Sequence, residues 1–260
     1  MLKGSDEWVK RKDYAETFYK RASGALPEME SSKAVANLLA GSMRANDSIL
    51  DVGCGAGHYL RSMLQRIKVP FKYTGVDATS DFIDAAHRAW KDQPGAVFRL
   101  GDVYDLPFRD GQFDIVMCNN VLLHLPSVGK PVRELVRVSK RLVLIRTLIG
   151  ERSYRVQEVY SKDNWPFSDV SVENEFGENG EPISFGFENI YSKGYFEALV
   201  RRANPDVKID FVQDTSFDAE TINRSADSEG LPNPTRVING MQVFGYIILP
   251  WHFVFIRLPE

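Results

Sequence analysis

The chain has 260 residues, of which 43% are hydrophobic and 26% charged, so it is long enough for one large domain or two small ones. The formal net charge is -3 and no block of Lys or Arg stands out, which gives no support for nucleic acid or an anionic membrane as partner. The longest apolar stretch, near the C-terminus, is interrupted by Pro250 and His252 and is shorter than the roughly 20 residues of a membrane span.

The two cysteines, Cys54 and Cys118, form neither a CxxC pair nor a spacing typical of metal ligands. Such cysteine usage fits a reducing compartment, and the N-terminus is too polar for a signal peptide. We therefore expect a cytoplasmic protein without a metal site.

The first predicted element is a helix over 31–41, capped by Ser31 or Ser32 and ended by Gly41. Short apolar runs follow, and each is typical of a strand covered on both faces. The runs are Ile49–Val52, Tyr73–Val76, Val97–Leu100, Asp114–Cys118 and Leu142–Arg146. Amphipathic segments lie between several of them: one follows Gly57, one begins at a Ser80 cap, and one has Pro131 in its first turn. This alternation predicts an α/β fold with a doubly wound sheet.

The pattern changes after Gly150, where residues 151–190 are polar, contain glycine and are rich in Tyr, Trp and Phe. Regular elements then resume with a helix capped by Ser192, a strand at Val207–Val212 and a last strand within His252–Leu258. Asn239-Gly240 is a signal for a tight hairpin turn.

The stretch ILDVGCGAGHYL places three glycines between the first strand and a helix. Glycine tolerates positive φ and lets a ligand approach the backbone, and the following helix N-terminus favours an anion such as a carboxylate. The dinucleotide fingerprint GxGxxG is not met, because His58 occupies the last position. The pattern is instead Asp51-x-Gly53-x-Gly55-x-Gly57.

This pattern resembles the first motif of the class I S-adenosylmethionine-dependent methyltransferases. Further landmarks follow in the family's order: YTGVDAT with Asp77, LGDVYDLPF with Asp102, and FDIVMCNNVLLHLP with Asn119. The resemblance implies a Rossmann-like, doubly wound, mostly parallel seven-stranded sheet with helices on both faces and a cap insert. It divides a single domain, 1–260, into an N-terminal helical segment (1–48), a cofactor-binding core (49–150), a cap insert (151–190) and a C-terminal helix with strands (191–260).

The resemblance also implies that S-adenosyl-L-methionine is the cofactor and S-adenosyl-L-homocysteine the product. Asp77 would accept hydrogen bonds from the ribose hydroxyls, Asp102 would accept one from the adenine amino group, and Val103 would lie beside that ring. The expected cofactor-binding residues are Asp51, Gly53, Cys54, Gly55, Gly57, Asp77, Ala78, Asp102, Val103, Asn119 and Tyr19. Simpler roles stay open, since Asp77 and Asp102 could be turn or cap residues and Asp51 could be purely structural.

Two residues could take part in methyl transfer. His124 follows the fourth strand and could act as a base, or it could simply pack beside its leucine neighbours. Arg146 follows the fifth strand and could bind an acidic group on the acceptor, or it could pair with a carboxylate such as Glu151 at the surface. The CNNVLLH segment lacks the NPPY-like motif of methyltransferases that act on base amines.

The aromatic insert 151–190 suggests a cap over a small-molecule acceptor, although its aromatics could equally form a core of their own. Three alternatives to a small-molecule methyltransferase remain open. They are an RNA or protein methyltransferase, a cofactor-binding protein without catalysis, and an NAD(P)-linked oxidoreductase, against which His58 counts. The sequence leaves the oligomeric state open.

Overall fold

The computed structural model describes residues 12–159, 175–228, 235–245 and 247–259. Helices over the described residues are α1 (Lys12–Ser23), α2 (Glu30–Ala40), α3 (His58–Arg66), α4 (Ser80–Trp90), α5 (Gly129–Val138), α6 (Lys193–Ala203) and α7 (Ala219–Ser228). The strands are β1 (Asp47–Val52), β2 (Phe71–Asp77), β3 (Ala96–Leu100), β4 (Phe113–Asn119), β5 (Ser139–Gly150), β6 (Gln157–Val159), β7 (Phe185–Phe187), β8 (Tyr191–Ser192), β9 (Lys208–Gln213), β10 (Arg236–Ile238), β11 (Met241–Phe244), β12 (Ile247–Ile248) and β13 (Trp251–Arg257). A short 3-10 helix, Leu122–His124, follows β4.

The central sheet has the strand order β3-β2-β1-β4-β5-β13-β9. Strands β1 to β5 run parallel, while β13 lies antiparallel to both β5 and β9. The doubly wound, mostly parallel sheet expected from the sequence is therefore confirmed. The short strand β8 adds to the end of β5 and makes the sheet eight-stranded rather than seven-stranded.

Two apolar cores cover the two faces of the sheet, which explains why its inner strands are almost continuously apolar. One core joins the sheet to α5 and α6 through residues such as Leu135 and Phe196. The other joins it to α2, α3 and α4 through residues such as Leu39 and Met63. Both cysteine side chains are fully buried in these cores, Cys118 in the first and Cys54 in the second.

The helix starts differ from the expected caps at two places. Helix α2 begins one residue earlier than predicted, with Met29 in the cap position, and the Ser32 hydroxyl donates to the Met29 carbonyl instead of capping the helix. Thr79, not Ser80, occupies the cap position of α4, and its side chain makes no cap hydrogen bond. Neither serine cap was therefore right, because the backbone enters each helix one or more residues earlier.

Other local predictions are confirmed. The Ser192 hydroxyl accepts a hydrogen bond from the Tyr195 amide at 3.3 Å and caps α6. Asn239 and Gly240 both have positive φ and connect the antiparallel strands β10 and β11, as an Asn-Gly turn requires. Within the insert, β6 and β7 form an antiparallel pair, while Tyr160, Trp165 and Phe167 lie outside the described residues. Among the helices that the structure describes, none has the length and apolar character needed to cross a bilayer.

Candidate functional site

The carboxyl ends of β1, β2 and β4 meet at the point where the strand order reverses, since β1 lies between β2 and β4. Crevices at such points are the usual ligand sites of open α/β sheets. The structure brings together there the glycine loop after β1, Asp77 at the end of β2 and Asn119 at the end of β4. The sequence-derived grouping of these residues is thus reproduced by the fold.

All three glycines of the loop have positive φ: 77° at Gly53, 53° at Gly55 and 76° at Gly57. Neighbouring side chains also leave no room for larger residues. A Cβ on Gly53 would lie 2.2 Å from Val121 Cγ2, and a Cβ on Gly57 would lie 2.6 Å from Trp90 Nε1. Two of the glycines are therefore required by the packing of the protein itself, whatever the ligand.

Gly55 lies in a different environment. A Cβ there would meet Phe18 at 3.4 Å and the His58 ring at 3.7 Å, which are contacts with side chains above the loop. The space over Gly55 is therefore bounded by two aromatic rings and not by the sheet. This is the part of the loop that a ligand could approach by displacing Phe18.

Asp77 is buried and its carboxylate faces the glycine loop. Oδ2 accepts a hydrogen bond from the Gly55 amide at 2.9 Å, and Oδ1 accepts one from the Thr79 amide at 3.0 Å. Burial raises the pKa of Asp77, and the hydrogen bonds from Thr79 and Gly55 oppose that shift. Each oxygen can still accept a further hydrogen bond, so a loop-fastening role and a ribose-binding role are compatible.

Asp51 lies beneath the loop and not at its open side. Its carboxylate accepts a hydrogen bond from the Tyr73 hydroxyl at 2.5 Å. Burial raises the pKa of Asp51 to about 7, the nearby charge of Asp77 adds to the rise, and the Tyr73 hydrogen bond counteracts it. This placement favours the structural role for Asp51 that the sequence left open.

The remaining expected cofactor contacts differ in accessibility. Cys54 is buried and its thiol donates to the Gly55 carbonyl at 3.3 Å, so only its backbone faces the loop. Ala78 is exposed just after β2. Asp102 is also exposed and accepts a hydrogen bond from the Tyr104 amide at 2.9 Å, while Val103 packs into the core. The Asp102 contact is the turn interaction that had been weighed as its simpler role.

Two buried polar side chains at this edge of the sheet have atoms without a hydrogen-bond partner among the described residues. Asn119 is 5% exposed, and both its amide nitrogen and its amide oxygen lack a partner. His58 is 8% exposed, and its Nδ1 also lacks one. Unpaired polar atoms are costly in a protein interior, and a polar ligand over the glycine loop would satisfy them.

His58 and Phe18 border the candidate site at Gly55 and are not among the residues expected from the sequence. His58 is the first residue of α3, and its ring stacks on Phe18 of α1, with centroids 4.8 Å apart and planes 10° from parallel. Burial lowers the pKa of His58 to about 3, and the charge of Arg21 adds to this effect. Tyr19, an expected cofactor contact, lies under the Arg88 guanidinium at 4.4 Å. For His58, the available sequence signal was its aromatic ring directly after Gly57, the third glycine of the motif.

His124 lies in the 3-10 helix after β4 and faces the insert. Its Nδ1 is 2.8 Å from the Phe187 carbonyl oxygen and 3.5 Å from Glu188 Oε1. Donation from Nδ1 to the carbonyl would leave Nε2 as the unprotonated nitrogen of the neutral ring. The histidine therefore links the cofactor-binding core to the insert.

Arg146 is buried, with 4% exposure, and its guanidinium pairs with Asp214 and not with Glu151. The second alternative weighed for Arg146, a surface pair with Glu151, is therefore wrong, because the side chain points into the protein. The partner, Asp214, lies directly after β9. No cluster of three potential metal ligands occurs in the parts of the chain that the structure describes.

Residues 50–144 match a family model described as a methyltransferase domain. The methyltransferase YcgJ of Bacillus subtilis is 34% identical over 100 residues, covering 38% of this chain and 38% of YcgJ. A demethylmenaquinone methyltransferase of Lactiplantibacillus plantarum is 29% identical over 111 residues, covering 40% of this chain and 47% of the relative. The solved [4+2]-cyclase SpnF shares the fold, with a TM-score of 0.57 at 17% identity, covering 87% of this chain and 81% of SpnF.

Residues 50–144 therefore match the methyltransferase domain family, and the order of the motifs and the doubly wound sheet agree with the resemblance to class I S-adenosylmethionine-dependent methyltransferases. The alignments to the two curated relatives each span less than half of the relative's length.

Proposed function

We propose that the protein binds S-adenosyl-L-methionine and transfers its methyl group to a small-molecule acceptor. The observation that carries the proposal is a set of buried, unpartnered side-chain atoms, Nδ1 of His58 and both amide atoms of Asn119, at the switch point of the sheet that holds the glycine loop. The zwitterionic methionine end of the cofactor has donors and acceptors that suit both side chains. The positive end of the α3 dipole suits its carboxylate.

Each binding residue has a definite task in this proposal. Asp77, already fixed by the Gly55 and Thr79 amides, would accept hydrogen bonds from the ribose. The backbone of Gly53 to Gly57 would pass under the methionine part. Phe18, which now covers Gly55, would have to shift and then close over the ligand. Asp102 and Val103 would border the adenine, as the family resemblance implies.

The cofactor, when bound, supplies a methyl group already activated on a sulfonium. The protein therefore has to align the acceptor, exclude water and, if the acceptor is protonated, remove a proton. His124 is the proposed base, because its Nδ1 contact with the Phe187 carbonyl favours the tautomer whose Nε2 can take up a proton. If His124 is only a packing residue, alignment alone would drive the transfer.

A small-molecule acceptor is supported by three observations. The insert between β5 and β8 brings the buried aromatic residues Phe185 and Phe187 close to His124. The chain has no block of basic residues that would attract RNA. One relative is named for the methylation of demethylmenaquinone, an organic small molecule. We propose an acceptor that is at least partly apolar and is held under the insert.

A second candidate is a protein that holds the cofactor without transferring its methyl group. It is favoured by the fold shared with SpnF, which is described as a [4+2]-cyclase and not as a methyltransferase. It is also favoured by the engagement of Arg146 with Asp214, which leaves less side-chain chemistry for an acceptor.

Calorimetry with S-adenosylhomocysteine, with NAD as the control ligand, tests the binding step. We expect the protein to bind S-adenosylhomocysteine but not NAD, and we expect S-adenosylhomocysteine to raise Tm by mass action. A folded sample that shows neither binding nor a rise in Tm at millimolar S-adenosylhomocysteine contradicts the proposal.

Transfer of labelled methyl groups into a cell extract, with products separated by size, then distinguishes the acceptors. Label in small molecules supports the proposal, and label in RNA or protein refutes it. Binding without any transfer favours the second candidate.

A further inference from the structure

The turn after β4 has an unusual backbone conformation. Asn120 has φ of 59°, in the left-handed region that residues other than glycine rarely enter. Asparagine tolerates this region better than most residues, but the conformation still needs support from its surroundings. The support comes from contacts of the Asn120 side chain and backbone with Arg146 and Tyr59.

Arg146 provides two of these contacts. Its Nη1 donates to Asn120 Oδ1 at 2.6 Å, and its carbonyl accepts a hydrogen bond from the Asn120 amide at 3.0 Å. The side-chain Nδ2 of Asn120 donates to the Tyr59 hydroxyl at 3.3 Å. Both polar ends of the Asn120 side chain are therefore engaged, and the residue is held from two sides.

Arg146 is itself held rigidly. Its Nε donates to Asp214 Oδ2 at 2.8 Å, its Nη2 forms an ion pair with the same oxygen at 2.7 Å, and its guanidinium stacks over Trp251 at 3.9 Å. The Asp214 charge compensates the guanidinium charge, which a buried arginine requires. An acceptor carboxylate would have to compete with this pair, so the geometry argues against Arg146 as an acceptor-binding group.

The two neighbours of Asn120 both border the candidate cofactor site. Asn119 carries a buried, unpartnered side-chain amide at the end of β4, the strand that pairs with β1 ahead of the glycine loop. Val121 packs so closely on Gly53 that a Cβ there would lie 2.2 Å from its Cγ2. A change in the conformation of Asn120 would therefore move both of these contacts together.

We propose that Arg146 is a positioning residue that holds the Asn119–Val121 turn against the glycine loop, and so sets the affinity of the loop for the cofactor. The inference rests on the proposed function, because the affinity concerned is that for S-adenosylmethionine and its product. It replaces the role of acceptor-binding residue that the sequence suggested for Arg146.

The test measures S-adenosylhomocysteine affinity by calorimetry in folded variants at low temperature. Arg146→Met should weaken binding by about tenfold, which corresponds to the loss of a hydrogen bond of ~1.4 kcal/mol. Arg141→Met is the matched control. Arg141 lies on the same strand, pairs with Asp47 at 2.6 Å, and is remote from the loop. The Arg141→Met variant should have a lower Tm, and its affinity for S-adenosylhomocysteine should stay within about twofold of that of the parent.

Asn120 variants carry the test if Arg146→Met fails to fold. Asn120→Ala should weaken binding about as much as Arg146→Met, because it loses both the amide and the tolerance of positive φ. Asn120→Asp keeps an oxygen for Arg146 and should bind within about threefold of the parent. The double variant Arg146→Met/Asn120→Ala should bind no more weakly than the weaker of the two single variants, since both remove the contact between Arg146 and Asn120.

The inference is overturned if folded Arg146→Met binds as tightly as Arg141→Met, or if Asn120→Ala binds like the parent. A folded parent that does not bind S-adenosylhomocysteine refutes the proposed function itself, and the inference with it. A parent that binds while Arg146 and Asn120 prove irrelevant refutes only the inference.

Discussion

The imidazole of His58 stacks face to face on the ring of Phe18, 4.8 Å away, and thereby joins the start of α3 to the N-terminal helix α1. The stack lies directly over Gly55. The residue after the glycine motif thus connects the candidate cofactor loop to the element that covers it. A ligand that occupies the loop must rearrange this contact.

His58→Ala should weaken S-adenosylhomocysteine binding by about 1–2 kcal/mol, because it removes a buried hydrogen-bonding atom beside the loop. Phe18→Leu should have a smaller effect, since it loses stacking but keeps an apolar cover. Calorimetry measures both. Tyr195→Leu, on an exposed residue of α6, is the control and should bind like the parent. Equal affinities for all of these proteins would contradict a role for His58.

Gly53→Ala should destabilise the protein far more than Gly240→Ala. Both glycines have φ of 77°, so the cost of a left-handed alanine, about 1–2 kcal/mol, is common to them. A Cβ on Gly53 would collide with Val121, whereas a Cβ on Gly240 would meet no atom within 4 Å. Urea unfolding gives the two free energies. Similar losses would show that Val121 moves away at little cost.

Asp77→Asn should weaken S-adenosylhomocysteine binding by about 1.5–3 kcal/mol, the scale of hydrogen bonds to an ionised acceptor. Asp114→Asn is the matched control, because Asp114 also accepts hydrogen bonds but does so from Ser48 at the opposite end of the sheet. The Asp114→Asn variant should bind S-adenosylhomocysteine as tightly as the parent. If both variants bind alike, the ribose site lies elsewhere.

Asp51→Asn should reduce the loss of stability that accompanies rising pH. Burial raises the pKa of Asp51 to about 7 in the folded protein, whereas an unfolded aspartate titrates near ~4. Between these values the folded protein keeps a proton that the unfolded chain releases, so raising the pH favours unfolding. Between pH ~4 and about 7, the free energy of unfolding of the Asp51→Asn variant should fall by about 1–4 kcal/mol less than that of the parent. Urea unfolding at several pH values measures it, and parallel curves for variant and parent would contradict the assignment.

His124→Ala should loosen the insert without changing cofactor affinity. The imidazole contacts the Phe187 carbonyl and Glu188, so its removal frees the strand β7 and the residues after it. Amide hydrogen exchange over 185–190 should become faster. If His124 is also the base, turnover of an identified acceptor should fall by about 10²–10⁴-fold. Unchanged turnover, with faster exchange, would make it an anchor of the insert and nothing more.

The parts of the fold predicted best are those that local sequence determines. Continuous apolar runs predicted β1 to β5, and Asn239-Gly240 predicted its hairpin, because each pattern has one dominant conformation. The serine caps of α2 and α4 failed because the backbone enters the helices earlier, at Met29 and Thr79, and neither helix start uses a side-chain cap. The two-residue strand β8 has too little sequence to leave a signal.

Within the candidate site, the sequence predicted the residues that belong to recognisable motifs and did not predict the contacts between distant segments. Gly53, Gly55, Gly57, Asp77 and Asn119 converge as expected, because the ends of parallel strands share one edge. The partners of Arg146 could not be predicted, since Asp214 is 68 residues away and belongs to the far side of the sheet. The stack of Phe18 on His58 likewise depends on a helix docking across the loop, which no local pattern encodes.

The burial of Cys54 and Cys118 has a practical consequence. Burial raises the pKa of both thiols, so neither supplies a reactive thiolate near neutral pH. Since these are the only cysteines in the chain, an alkylating reagent should modify the native protein slowly and the opened protein quickly. The rate at which the two native thiols are alkylated therefore reports the unfolding of the protein. A cysteine introduced on the surface of α1 would accept a fluorophore selectively and could report movement of that helix.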